Sequence, residues 1–178
     1  VICEKKGNDT NFYRAPAEKD ADQFILNLIE EHRPETIFID APLSLPGVLV
    51  HLEGYSNYFY RICDQNLQAM SPMFLGGLTA RAIRLKDEIG KQGITIKETY
   101  PKALALKLGL KNCGYRQGLE FIAPCLLKIR ETSLVRIDKY AVISWHHIDA
   151  LLALLAAERY RNNLHITYGD SAEGLIYI

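Results

Sequence analysis

At 178 residues and zero formal net charge, the chain suits one domain with a substantial core and carries no global electrostatic footprint. That balance argues against tight non-specific binding to DNA or to an anionic membrane, while leaving room for a local basic patch. No apolar run approaches the roughly 18 residues of a membrane span, and no secretory signal leads the chain, so no membrane partner is expected.

The first residues, Val1-Ile2-Cys3, are apolar and read as the interior of a strand, with residues expected to be missing upstream. A turn at Gly7-Asn8-Asp9 and the run Asn11–Arg14 predict the returning strand of a hairpin. Ala17 to His32 predicts an amphipathic helix, because Ala21, Phe24, Ile25, Leu28 and Ile29 share one face. Pro34 ends it, and Thr36–Ile39 follows as a β-branched and aromatic strand suited to burial on both faces.

That strand stops at Asp40, before Ala41-Pro42. A proline restricts the residue before it and cannot donate to a ladder, so the strand ends there. The carboxyl end of a central strand is where open α/β sheets place ligands and chemistry. Residues 41–60 form a long loop, which reads as a functional lid or binding loop. Arg61 and Asp64 open a helical stretch at i, i+3 spacing, a pair that reads equally as a site or as a solvated surface pair.

A helix over Leu78–Ile89 leads to Ile94–Pro101, a second strand of the same grammar that carries Glu98 near its end. Two such strands, each after a helix, imply parallel pairing with adjacent carboxyl ends. Lys102–Leu110 predicts a short helix, Lys111–Gly118 a polar loop with Lys111 and Arg116, and Leu119–Arg130 another helix. Lys128, Arg130, Arg136 and Lys139 are the densest basic segment, a possible phosphate contact or a solvated face.

Ser144 is the expected cap of the last long helix, which carries His146 and Asp149 on one side. Below Asp149, Leu152, Ala153 and Ala156 form a small apolar stripe, where an unpaired carboxylate would be costly. Two short strands, His165–Tyr168 and Gly174–Ile178, close the chain. The four cysteines, Cys3, Cys63, Cys113 and Cys125, lack zinc-ligand spacing and predict reduced thiols in a cytoplasmic protein.

Asp40, Glu98 and Asp149 would together make an all-oxygen site of the kind hard divalent cations want, Mg²⁺ or Mn²⁺ above all. Two such ions about 4 Å apart can activate water and stabilise the leaving oxygen of a phosphodiester. His146 would orient a water, act as an acid, or serve only as a core histidine. Without a cation the three acids would repel one another, so convergence requires a metal or a raised pKa.

IDAPL, the Arg61-x-Cys63-Asp64 segment, GGLTARAIRL, ETYP, and HHIDALLALLAA with the closing GDSAEGLIYI occur in this order. In them the chain resembles the domain-of-unknown-function family four-twenty-nine, predicted nucleases of ribonuclease H-like fold. Its last helix is also similar to that of Holliday-junction resolvases, in a His-x-x-Asp-Ala setting. The resemblance implies an α/β fold with a mixed five-stranded sheet: an antiparallel three-strand meander, then parallel strands separated by helices. It implies Asp40, Glu98 and Asp149 as metal and catalytic residues with His146, and Arg61 and Asp64 as neighbouring substrate positions. It further implies a nucleic-acid partner. The departure is the first strand, where the fold normally carries an essential Asp; Asp9, in the hairpin turn, is a poor substitute. The alternatives are a non-catalytic ribonuclease H-like binding module and a metal-dependent hydrolase of a small phosphorylated substrate.

Overall fold

The computed structural model describes residues 1–132, 136–138 and 141–178. Lys139, part of the basic segment, lies outside them. The chain is α/β. Strands β1 (Ile2–Lys6) and β2 (Asp9–Tyr13) form an antiparallel hairpin, followed by α1 (Ala21–His32) and β3 (Thr36–Ile39). Asp20 starts α1 later than periodicity suggests, because its carboxylate accepts from the Asp22 and Gln23 N–H groups as an N-cap.

After β3 come α2 (Ile62–Leu67), α3 (Pro72–Leu75), α4 (Gly77–Gly90), β4 (Thr95–Thr99), α5 (Pro101–Lys107), α6 (Ile122–Thr132) and α7 (Trp145–Arg161). Strands β5 (Thr167–Asp170) and β6 (Gly174–Tyr177) finish the chain. The predicted helix over Leu119–Arg130 begins as a 3₁₀ turn at Leu119–Phe121 before α6. The last helix starts after Ser144 as expected, although the Ser144 hydroxyl meets the His147 ring at 2.7 Å rather than capping a backbone N–H.

The sheet is mixed and four-stranded, in the order β3-β4-β6-β5. Strands β3, β4 and β6 run parallel, and β5 pairs antiparallel with β6. The expected pairing of the two acid-ended strands is therefore present. The three-strand meander is not: among the described residues β1 and β2 pair only with each other as strands, as a separate two-stranded unit. This hairpin packs against α7, is tied to it by Lys5–Glu158 at 2.6 Å, and receives Arg136 alongside β2.

Alternation along β3 sends successive side chains to opposite faces. Ile37 and Ile39 pack with Ile96 against α1 and α4, through Ile29, Leu85, Ile89 and Ala82. Phe38 joins the larger core built on α5, α6 and α7, where Leu104, Ile129, Ile148, Leu152 and Ala156 are buried. The small stripe read below Asp149 is thus a packing face.

Residues 41–60 are strapped down rather than free. The Leu43 N–H donates to Glu98 at 2.8 Å, the Gly47 N–H to Glu173 at 2.7 Å, and the Tyr55 hydroxyl to Asp170 at 2.7 Å. Glu173 is buried and also accepts from the Ile62 N–H at 2.6 Å, so one carboxylate ties the loop and α2 to the β5–β6 turn. Next to it, Gly174 has φ +140°, and a Cβ there would lie 2.2 Å from the Ser44 hydroxyl oxygen. Gly174→Ala is therefore expected to destabilise the fold by about 1–3 kcal/mol through overpacking. An unchanged urea midpoint for this variant would contradict that close approach.

Candidate functional site

The parallel register decides how the acids meet. Ile39 lies opposite Glu98 across β3 and β4, so Asp40 falls one residue beyond Glu98's partner. Aligned residues on neighbouring strands share a face, and the next residue points the other way. The pairing turns Glu98 towards the Leu43 side of the sheet and places Asp40 at the end of the face that carries α7 and Asp149.

Glu98 is buried and fully engaged. Arg61 grips it with two bonds, Nη1 to Oε2 at 2.7 Å and Nη2 to Oε1 at 2.6 Å, and the Leu43 N–H adds a third. Arg61 is itself 0% exposed. Its remaining donors go to Asp64, from Nε at 3.0 Å and Nη2 at 2.7 Å, and to the Ser44 hydroxyl at 2.8 Å. Every N–H of this guanidinium therefore has an acceptor. Burial disfavours its charge, but the bonds to Glu98 and Asp64 outweigh that and raise its pKa. Burial likewise pushes Glu98 up, against the pull of Arg61.

Arg61 and Asp64, expected as substrate positions or as a surface pair, are neither in this arrangement. The pair is buried, and Arg61 has no donor left for a ligand.

Asp149, 7% exposed, is held from a different direction. The Tyr115 hydroxyl donates to its Oδ1 at 2.5 Å, and Arg116 forms an ion pair with its Oδ2. Both donors stand on the loop between α5 and α6, which turns at Gly114 (φ +82°) and Arg116 (φ +61°). Arg116 is 55% exposed, in contrast to Arg61. The sequence held one pointer to it, a basic residue in a glycine-bounded loop. Its partner, 33 positions along the chain, was not legible there.

Asp40 has no hydrogen-bond or ion-pair partner among the described residues. Its surface is open at the bend after β3, yet enough protein crowds it that loss of hydration is the first cause of its shift. The charges of Asp149 and Glu98 act in the same direction, Arg116 opposes them, and the carboxyl is pushed up to about 6. Tyr100 is also raised, by burial and then by Asp40. His146 is exposed, three residues before Asp149, and makes no hydrogen bond among the described residues; the buried histidine of the pair is His147.

Among the described residues, no three Asp, Glu, His or Cys side chains converge as a ligand set for a metal ion. The donor chemistry explains why: Glu98 is locked by Arg61, on the other side of the register. Asp40 is left as the one of the three acids without a hydrogen-bond or ion-pair partner among the described residues, while both Asp149 oxygens are engaged by Tyr115 and Arg116. Of the basic segment, Lys128 pairs with Glu131 at 2.8 Å, and Arg130 donates to the Ile137 carbonyl. No protein-family model, curated protein or solved structure matches the chain. No helix among the described residues is long and apolar enough to cross a membrane.

Two expectations follow. Removing Arg61 leaves Glu98 and Asp64 buried without a counter-charge, so Arg61→Met should cost about 3–5 kcal/mol in urea unfolding. Arg61→Lys should recover little of this, because an ammonium cannot reproduce two forked pairs. For Asp40, a folded value of about 6 against an ordinary 3.8 means the folded chain keeps a proton that the unfolded chain has released. Stability from the protonated carboxyl is then present in acid and lost as pH rises through about 6. Asp40→Asn should melt higher than wild type above that pH and converge with it near pH 4 or below, in thermal scans. An equal offset at every pH would contradict the shift.

Proposed function

We propose that this protein is a ribonuclease H-like phosphodiesterase acting on nucleic acid, with Mg²⁺ or Mn²⁺ held between Asp40 and Asp149. The observation that carries this reading is Asp40: an acid at the end of a parallel strand, unpartnered, in the field of two further carboxylates. A surface turn has no reason to gather such groups, whereas a cation site does. The parallel β3–β4 pair, with α7 bringing an acid to its end, supports the ribonuclease H-like assignment. The nucleic-acid substrate comes with the resemblance of IDAPL, ETYP and HHIDALLALLAA.

A hard cation there would polarise a phosphoryl oxygen and lower the pKa of a bound water. The chain's own residues have distinct parts. Asp40 takes up positive charge most readily above pH 6, once its proton has left. Asp149 is aimed by Tyr115, and His146 stands free beside it to orient a water. Glu98 acts through Arg61 and Leu43 as the support of the strand end, a positioning role.

The pairing of Asp149 with Arg116 favours a second reading, a non-catalytic ribonuclease H-like module whose acids are permanently neutralised. Cleavage assays on single-stranded, duplex, hybrid and branched substrates and on small phosphate esters, with Mg²⁺ or Mn²⁺, separate the two. Metal-dependent cleavage lost in both Asp40→Asn and Asp149→Asn is expected. Folded wild type that cleaves none of these substrates with either metal overturns the enzyme reading in favour of the binding module.

A further inference from the structure

We propose that the exposed apolar surface around Phe74 is a self-association face, on which a second copy of this chain docks about a two-fold axis. The inference uses none of the acids of the candidate site. The surface belongs to the segment between β3 and α4, where Tyr58, Phe59, Met70, Met73, Phe74 and Leu78 are all exposed, from 40% at Met73 to 65% at Phe74.

These side chains stand on a fixed base. The Phe59 and Phe74 rings lie 5.8 Å apart, and the Tyr60 ring meets Phe74 edge-on at 6.0 Å. Ser71, wholly buried, donates its hydroxyl to the Phe59 carbonyl and accepts from the Met73 N–H at 3.0 Å, which staples the aromatic run to α3. The Thr79 hydroxyl donates to the Pro72 carbonyl at 2.7 Å, so α3 is tied to α4 as well.

Charge decides the occupant. From Gly54 to Ala80 the only charged residues are Arg61 and Asp64, and both are buried in their own pair. The next cations along the chain, Arg81 and Arg84, pair with Asp22 at 2.7 and 2.6 Å. Nucleic acid is held through phosphates that call for lysine or arginine, even where aromatic rings stack its bases. An anionic membrane surface calls for the same. An uncharged face rich in aromatic residues and methionine has instead the composition of a protein interface core. A second copy suits it: two identical uncharged faces meet without opposite charges, and a chain of zero net charge does not repel its own copy.

The area agrees. At these exposures the six side chains present about 500 Å² of apolar surface, the upper end of what a monomer shows. Interfaces are roughly 55–65% apolar, so this is the apolar share of about 800 Å² per copy, the size of a standard stable interface.

Sedimentation equilibrium of the full chain tests this, over a concentration series reaching the high micromolar range, on wild type, Phe74→Glu, Met70→Lys and Leu119→Glu. Phe74 and Met70 are more than half exposed, so their substitution removes little from the core. Leu119 is 67% exposed in a different segment, the 3₁₀ turn before α6, and serves as the control. Wild type should be dimeric and remain so in molar NaCl, because apolar contact is not screened. Phe74→Glu and Met70→Lys should each weaken the dimer by roughly tenfold or more, and Leu119→Glu should leave it unchanged. Far-UV circular dichroism checks that each variant is folded, and if one is not, the other decides. Wild type that is monomeric throughout overturns the proposal and leaves the face to a different protein. A dimer that neither variant weakens, that Leu119→Glu weakens equally, or that salt dissolves overturns it too.

Discussion

The rest of the structure depends on a single buried guanidinium. Arg61 lies between α2, the segment after β3, and β4, and joins them through Asp64, Ser44 and Glu98. Charge in the interior is tolerated only when paired and fully hydrogen-bonded, because desolvation otherwise exceeds the Coulombic gain. That requirement is met here on both sides of the arginine, with forked contacts to two carboxylates. It has a geometric consequence: Ser44 must sit within reach, Gly174 must have no side chain, and Leu43 must present its N–H to the same Glu98 oxygen. The start of the loop after β3 is thereby tied to β4 and α2, and separate bonds from Gly47 to Glu173 and from Tyr55 to Asp170 hold it further along.

The same interaction sets the electrostatics at the end of the sheet. Asp40, Asp64, Glu98 and Asp149 are four carboxylates, and Arg61 and Arg116 are two guanidiniums, leaving an excess of two negative charges when all are ionised. One of the two lies with Glu98 and Asp64, which share Arg61, and the other falls on Asp40, whose neighbouring acids are paired elsewhere. A protein relieves such an excess by keeping a proton or by taking up a cation. Below about pH 6 Asp40 keeps its proton, and the relief it gives is lost as pH rises.

Much of this architecture is legible in the chain. TIFID and TIKET each pair a β-branched run with an acid near a proline, and they do lie parallel with their ends together. The final helix is legible from its small apolar stripe and from Asp149 near its start. What each strand alone could not say was the register. Because Ile39 aligns with Glu98, the two strand acids fall on alternate faces, and the expected trio separates into a glutamate locked by Arg61, an aspartate held by Tyr115 and Arg116, and an exposed Asp40. The i, i+3 spacing of Arg61 and Asp64 says only that they are neighbours; the third member, Glu98, lies 37 residues away. The hairpin is legible in its turn and flanking runs, but its separation from the sheet is a matter of long-range pairing that local pattern does not encode.

Two arginines of the same chemistry thus have opposite characters, and burial decides which. Moving Arg61 would strand two carboxylates in the core, so its geometry is fixed with the fold. Arg116 is half exposed, but its partner Asp149 is buried, so removing it would leave that carboxylate held by Tyr115 alone. One arginine is therefore closed inside the core, and the other opens to solvent on one side. The alignment of the strand acids reveals neither partner of Asp149, because Tyr115 and Arg116 reach it from the loop between α5 and α6.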